Sequence, residues 1–410
     1  MKTPLNRATV AAATLVLLLA ASVPAHAEWN KGLEAYKNKD WATAVKEFEE
    51  VTKTNPDYAG GYYMLGVSQR AAGQLSPALA SLRKAVELDG SQPSYKLALA
   101  QALLQAKQYQ DAYSLLKPLS ISSLEAAHRS TYALLFAQAA TKTNRPGEAI
   151  NVLSGQARAD AKNPALEQAL GAAYAATGDE AKAYEAFKKA FELDPSDTTS
   201  GRNAARAAIA VARRSNSNTE KADYYTGAAR IAEKLAGSSP TFEHELLAGE
   251  AWLGAKQYEK ALGWFGKASA KQPKNALPHY YSAQCRTSMG DLNDAIADLQ
   301  QALKLGPSGK LRAQIYNQGG YVYDKKKDYD KAAQWYGEAG NQKMVAQMQD
   351  KKETQAGNIE HDKECREFKK KIDALRLQVQ ELEKLGDNDN AKLLKDQLPG
   401  LEKQYAETCG

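Results

Sequence analysis

Four histidines and three cysteines are the side chains in the body of this chain best suited to chemistry at neutral pH: His128, His244, His279 and His361, with Cys285, Cys365 and Cys409. A metal site or an acid–base pair needs such groups at chelating spacing, on one helical face or in a Cys-x-x-Cys loop. The histidines lie far apart, and no Cys-x-x-Cys pair occurs. There is also no phosphate-cradling glycine loop and no nucleophile elbow. Asp387-Asn388-Asp389-Asn390 has the oxygen content of a calcium loop, but the central glycine is missing and Leu398 stands where the closing glutamate belongs. It reads as a turn between helices. Cys285 sits within a helical stretch beside a small residue and reads as a buried structural thiol rather than a reactive one. The expectation is a protein without cofactor or metal that is not an enzyme.

The elements that carry these residues follow a repeat. Ala44, Ala78 and Ala112 are 34 residues apart, as are Ala149 and Ala183, and Ala261 and Ala295; Ala332 follows 37 further on. About twelve residues before each alanine stands a small residue: Gly32, Gly66, Ala100, Ala137, Gly171, Gly249, Ala283 and Gly320. Four residues after each is a large apolar one: Phe48, Leu82, Leu116, Leu153, Phe187, Phe265, Leu299 and Tyr336. A period of this length marks stacked helical repeats. The small residues let two antiparallel helices approach closely, and the large residue is expected to fill space against the next repeat. Pro56, Pro195, Pro273 and Pro307 end repeats, and Gly73, Gly178 and Gly290 mark turns within them.

This pattern resembles the tetratricopeptide repeat family over roughly residues 28–340. The best copies are Trp29–Pro56, Tyr62–Asp89, Leu166–Pro195, Glu245–Pro273, Tyr280–Pro307 and Tyr316–Ala339. The third and fourth copies are degenerate, with Pro146 expected in a turn, and residues 198–240 read as an atypical helix pair linked around Ser215–Asn218. The expected fold is all-α: a right-handed superhelical solenoid of antiparallel helix pairs, with repeats over 28–197 and 241–340, followed by a C-terminal helical hairpin.

The resemblance implies that the first helix of each repeat lines a concave groove that binds extended or helical peptide segments. The family's groove positions fall here on Trp29, Leu33 and Tyr36, then Tyr63, Val67 and Arg70, then Leu97, Gln101 and Leu104, then Leu134, Gln138 and Thr141. Gln168 and Ala172 follow, then Leu246, Glu250 and Leu253, then Tyr280, Gln284 and Thr287, and finally Asn317, Tyr321 and Asp324. The lysines and asparagines with which one subclass grips a partner's C-terminal carboxylate are absent, so binding of chaperone tails is not supported. Aromatic, aliphatic and glutamine side chains suit apolar contacts with backbone hydrogen bonds. Two functions stand open. One is a scaffold or adaptor for envelope proteins, in envelope assembly, secretion or polysaccharide export. The other is a subunit whose groove aromatics stack on a glycan or cell-wall polymer.

The two ends differ from the repeats. Lys2 and Arg7, the apolar run Val10–Ala21 and Ala25-His26-Ala27 read as a cleavable export signal over residues 1–27, leaving Glu28 as the mature start. The run is too short to span a bilayer, and no later segment is apolar enough. The first cysteine is Cys285, so no lipid-anchored start is expected. The periplasm is the expected compartment, with secretion as the alternative. Without Lys2 and Arg7 the chain has 52 basic and 48 acidic side chains, a formal +4, and lacks the concentrated basic face of a nucleic-acid binder. Arg202, Arg206, Arg213 and Arg214 form the densest basic stretch, either a solvated face or a dock for an anionic partner.

At the C-terminus, residues 341–356 read as a capping helix and Gly357 as a break. A 3-4 apolar spacing then runs through Cys365, Phe368, Ile372, Leu375, Val379 and Leu382, and resumes at Ala391, Leu394, Leu398, Leu401 and Tyr405. Reflection through the turn pairs Val379 with Leu398 and Ile372 with Tyr405 in a self-paired hairpin; an intermolecular coil is the other reading. Pro399-Gly400 must interrupt the return helix. In an oxidising compartment Cys365 and Cys409, at nearly equal height, are expected to pair. Bridges between chains and unpaired thiols are the alternatives.

Overall fold

The computed structural model describes residues 27–409; the expected export segment lies outside them, except for Ala27, which opens the first helix. Among the described residues the regular structure is helical, with no strand. The chain forms two compact units, one up to Trp264 and one from Phe265. The first unit holds the pairs α1 (Ala27–Lys37) and α2 (Trp41–Thr54), α3 (Ala59–Ala71) and α4 (Leu75–Leu88), and α5 (Pro93–Gln105) and α6 (Tyr109–Leu116). It continues with α7 (Ala126–Lys142) and α8 (Pro146–Ala159), α9 (Pro164–Thr177) and α10 (Glu180–Leu193), α11 (Thr198–Arg214) and α12 (Asn218–Ser238), then α13 (Phe242–Gly254). The unit boundary falls within α14 (Tyr258–Lys271). The second unit contains α15 (Leu277–Met289) and α16 (Leu292–Lys304), α17 (Gly309–Lys325) and α18 (Tyr329–Glu338), then α19 (Gln342–Leu385), α20 (Asn388–Lys395) and α21 (Leu398–Cys409). Each unit is a helical solenoid, because a helix pair with one apolar stripe per helix can bury it only on its neighbours.

One backbone device builds the turn inside every repeat. Seven residues after the small residue comes a left-handed residue: Lys39, Gly73, Lys107, Asn144, Gly178, Lys256, Gly290 or Lys327. The next residue returns its N–H to the carbonyl five positions back, as Asp40 does to Ala35 (2.9 Å) and Asp328 to Tyr323 (3.0 Å). This satisfies carbonyls that the helix end would leave open. Asp40, Asp179 and Asp328 then cap the following helix, their carboxylates accepting from the N–H groups of Thr43, Lys182 and Lys331. A single residue thus closes one helix and starts the next.

The close approach falls within the repeat as well as between repeats. Where the small residue is a glycine, the large residue after the alanine packs on it inside the same repeat, while Phe265 also stacks on Tyr281 of the next repeat with ring centres 5.4 Å apart. A methyl built on Gly66 would lie 2.6 Å from Leu82 Cγ, one on Gly171 2.8 Å from the Phe187 ring, and one on Gly320 2.7 Å from the Tyr336 ring. The repeated alanines are fully buried, as are Phe48, Leu82, Leu116 and Leu299.

Two further expectations are corrected, and the degeneracy of the third repeat takes a definite form. Pro146 does not sit in the turn; it is the first residue of α8, where its missing N–H costs nothing. The degenerate third repeat ends in the eight-residue α6 and a 3-10 turn, Ile121–Ser123. That insertion is pinned by the Tyr132 hydroxyl donating to the Leu119 carbonyl (3.0 Å) and by Arg129 Nε donating to the Leu124 carbonyl (2.9 Å). Finally, Gly357 breaks nothing. A helical glycine costs only about 1 kcal/mol, and α19 runs through it for 44 residues, from the Asn341 cap to a left-handed Gly386. The separate capping helix and hairpin arm are one element.

The atypical pair α11–α12 forms as expected around Ser215–Ser217. Glu233 on α12 accepts from two indoles, Trp252 Nε1 at 2.8 Å and Trp264 Nε1 at 3.0 Å. In the hairpin, Cys365 and Cys409 form a disulfide with Cα atoms 5.6 Å apart. Lys395 pairs with Glu383 (3.0 Å) and Arg376 with Glu402 (2.5 Å). Tyr405 meets Phe368 edge-on at 5.8 Å, one helical turn from the expected Ile372. The non-helical step between α20 and α21 lets the return arm gain length, so fifteen of its residues (395–409) match nineteen of the outgoing arm (365–383).

Candidate functional site

The groove positions divide by burial. Trp29, Leu33, Val67, Leu97 and Leu104 lie in the core of the first unit rather than on an open face. Trp29 packs edge-on to Phe48 (5.4 Å) and Tyr58 (5.5 Å), so its ring has no free face to offer a ligand. Tyr63 is buried against Tyr95 with ring centres 4.9 Å apart. These expected groove residues are consumed by packing within the repeat stack. Tyr36, Arg70 and Leu134 are half-buried, and Gln101 and Gln138 are exposed.

Tyr36, Tyr63 and Arg70 converge. Tyr36 on α1 packs edge-on to Trp41 (5.3 Å), and burial raises its pKa while Arg70 opposes the rise. Burial pushes Tyr63 up to about 12, with Tyr36 and Tyr95 adding to it. For Arg70, burial disfavours the charged form and the two tyrosines favour it. Its Nε is shielded from solvent and has no hydrogen-bond partner. Among the described residues no carboxylate pairs with it.

Further along the first unit, Leu246 and Glu250 on α13 face Arg206 and Arg213 on α11 across a cavity of about 340 Å³, also lined by Glu243 and Ile209. The arginine stretch is therefore partly answered by acids; Arg214 lies 3.9 Å from Glu180. Gln168 donates to Asp197 (2.8 Å), while Ala172 is exposed and Thr141 and Leu253 are half-buried.

In the second unit, Tyr280 is half-buried beside Tyr281, with ring centres 5.4 Å apart, and burial raises its pKa against a hydrogen bond with Gln284. Thr287 is buried, donating to the Ala283 carbonyl (2.6 Å) and accepting from Gln318 (3.2 Å). The last repeat departs from the expected groove. Asn317 accepts from Asn341 (2.7 Å), and Asp324 pairs with Lys351 (2.7 Å), so both hold α19 in place. Tyr321 keeps 45% exposure, with Lys325 over its ring at 5.3 Å.

The histidines stay apart. His244 is buried with Nδ1 2.7 Å from the Ser239 carbonyl, and His361 lies 3.7 Å from Cys365 Sγ. Cys285 is fully buried outside any disulfide. One cluster had no sequence signal, because its members are separated by 7 to 19 positions. Asp298 lies 2.9 Å from Arg286 and 3.9 Å from His279, and burial raises its pKa while Arg286 opposes the rise. Among the described residues no group of three or more metal-ligating side chains assembles, and no helix is long and apolar enough to cross a membrane.

Family models described as tetratricopeptide repeat match residues 29–93, 288–341 and 168–197. A model described as anaphase-promoting complex, cyclosome, subunit 3 matches residues 73–156. Cell division cycle protein 27 homolog A of Arabidopsis thaliana is 33% identical over 83 residues, 20% of this chain and 11% of that protein, so the chain spans about a tenth of its length. Among solved structures, MamA of Desulfovibrio magneticus RS-1 is 20% identical, covering 43% of this chain and 94% of its own, with a TM-score of 0.35. The C-terminal part of a TPR repeat-containing protein of Cytophaga hutchinsonii is 18% identical, covering 68% and 95%, with a TM-score of 0.44. Repeats of this kind are protein-interaction modules, and the small-residue, alanine and large-residue positions that define them recur through both units. The chain is a tetratricopeptide repeat protein.

Proposed function

We propose that this chain is a non-catalytic interaction scaffold of the bacterial periplasm, exported by a cleaved signal and serving envelope assembly, secretion or polysaccharide export. It holds peptide segments of partner proteins on the face formed by the first helices of its repeats. The observation that carries this reading is the face left once the packing residues are set aside. Half-buried Tyr36 and Arg70, with exposed Gln101 and Gln138 on the first helices of the next two repeats, offer aromatic, charged and amide groups along the first unit. Such groups suit a peptide's side chains and its backbone. Glycan stacking needs a row of open aromatic faces; Trp29 and Tyr63 are buried and Tyr36 and Tyr280 half-buried, which leaves Tyr321 as the exposed ring of the five.

A photo-crosslinking residue tests this when placed at Gln101 and, as a control, at Glu87 on the exposed side of α4. Expected is partner crosslinking in the periplasmic fraction from position 101 alone. Equal crosslinking from both positions, or crosslinks to polymer that cell-wall hydrolase removes, would overturn the peptide reading. N-terminal sequencing of the exported chain is expected to start at Glu28.

A further inference from the structure

We propose that Arg70 forms an anionic subsite in the groove of the first unit, taking the carboxylate of an aspartate or glutamate within a partner's peptide; this rests on the peptide-groove reading above. A guanidinium moved out of water loses hydration that only a counter-charge or several hydrogen bonds can replace. Arg70 has neither. It is half-buried, its Nε is shielded and unpartnered, and the groups acting on its charge are the phenols of Tyr36 and Tyr63. Arg286, another half-buried arginine, is answered by Asp298 (2.9 Å); Arg70 is not, and like Arg202 it has a shielded, unpartnered Nε. The planar fork of an arginine matches a carboxylate in two parallel hydrogen bonds, and the tyrosine hydroxyls beside it can donate to the same oxygens.

The geometry favours an acid inside a peptide over a chain terminus. Arg70 lies on α3, with first helices on either side, α1 carrying Tyr36 and α5 carrying Gln101. A bound segment can therefore continue past Arg70 in both directions. Val67, one turn before Arg70 on the same helix, is buried, and the partial burial of Arg70 itself strengthens a charge pairing made there.

The test uses a phage-displayed library of short random peptides, selected on the full purified chain and on Arg70→Gln and Arg70→Lys variants. Expected is that the parent enriches peptides with an acidic residue at a fixed place among apolar ones. Exchanging that residue for its amide should weaken binding by about tenfold or more, the scale of a charge-assisted hydrogen bond. Arg70→Gln should enrich apolar peptides without the acid, and Arg70→Lys should bind the parent's peptides at intermediate strength. Melting temperature separates binding from scaffolding, because removing an unpaired, desolvated charge should leave Arg70→Gln at least as stable as the parent. Acid-free peptides on the parent, acid-containing peptides retained by Arg70→Gln, or a destabilised Arg70→Gln would each overturn the subsite while leaving the peptide groove intact. Failure to select any peptide, with binding of an acidic oligosaccharide instead, would overturn the groove reading as well.

Discussion

Leu82 occupies the space that a side chain at Gly66 would need: a methyl there would lie 2.6 Å from Leu82 Cγ and 3.1 Å from the Leu82 backbone nitrogen. Sixteen residues separate the two, and the same offset joins Gly32 to Phe48, Gly171 to Phe187 and Gly320 to Tyr336. The repeat is keyed within itself before it stacks on its neighbour.

Gly66→Ala should therefore destabilise the chain by about 1–3 kcal/mol through overpacking, read as a lower urea midpoint. Gly263→Ala is the contrast, since nothing lies within 4 Å of a methyl at that helical site. It should gain about 0.5–1 kcal/mol from helix propensity. Equal effects from the two changes would show that the interlock does not limit packing.

The left-handed lysines give a second prediction. Lys39, Lys107, Lys256 and Lys327 hold φ between 59° and 61° at the position where other repeats use glycine. Relieving left-handed strain gains about 1 kcal/mol per residue, less what a cation contributes near a helix C-terminus. Lys107→Gly should raise stability slightly, and Gly178→Lys should lower it. The thermal midpoints of the two variants should move in opposite directions; movement in the same direction would rule out backbone strain as the cause.

Alkaline pH should unfold the repeats through their tyrosines. Burial, the leading cause, pushes Tyr58, Tyr63 and Tyr336 up to about 12 from an ordinary 10.0. The folded chain then keeps phenolic protons that the unfolded chain releases. The stability this contributes is complete below about pH 10 and is lost as pH rises through 12. Tyrosinate absorbance should show a late phase that coincides with loss of helical circular dichroism, and Tyr63→Phe should shrink it. A single titration near pH 10 with the helices intact would refute the effect.

Reducing the Cys365–Cys409 bridge should loosen the hairpin alone. The bridge spans 44 positions, and a loop of that length is worth about 4 kcal/mol when closed. The hairpin buries few side chains, among them Ile372, Val379 and Ala391. Trypsin should cut at Lys369–Lys371 much faster after reduction, with the melting of the repeats unchanged. Identical cleavage rates with and without reductant would mean that packing holds the arms together.

The repeat and its small, alanine and large positions were legible in the linear chain because they recur at a fixed offset, and the atypical pair because it departs from that offset. Burial within the groove was not. Trp29 and Val67 occupy expected groove positions yet are buried, Trp29 under Phe48 and Tyr58, and that depends on side chains many residues away. The isolation of Arg70 was equally hidden, since a missing counter-charge is a property of neighbours in space. Gly357 misled for a simpler reason: one glycine weakens a helix without ending it, and no proline follows before Pro399 to stop it.

The unbroken α19 makes the C-terminal arm a measuring rod. Its root is set by Met348, fully buried against Tyr323 and Tyr336 of the last repeat, and by the Lys351–Asp324 pair. At about 1.5 Å per residue its 44 residues extend roughly 66 Å. Whatever meets the exposed Leu385 and Leu393 at the far end is held at a set reach and a set azimuth from that root. One residue inserted beside Gly357 would swing the tip by about 100° around the rod, aiming the same surface in a different direction without altering a single contact in the repeats.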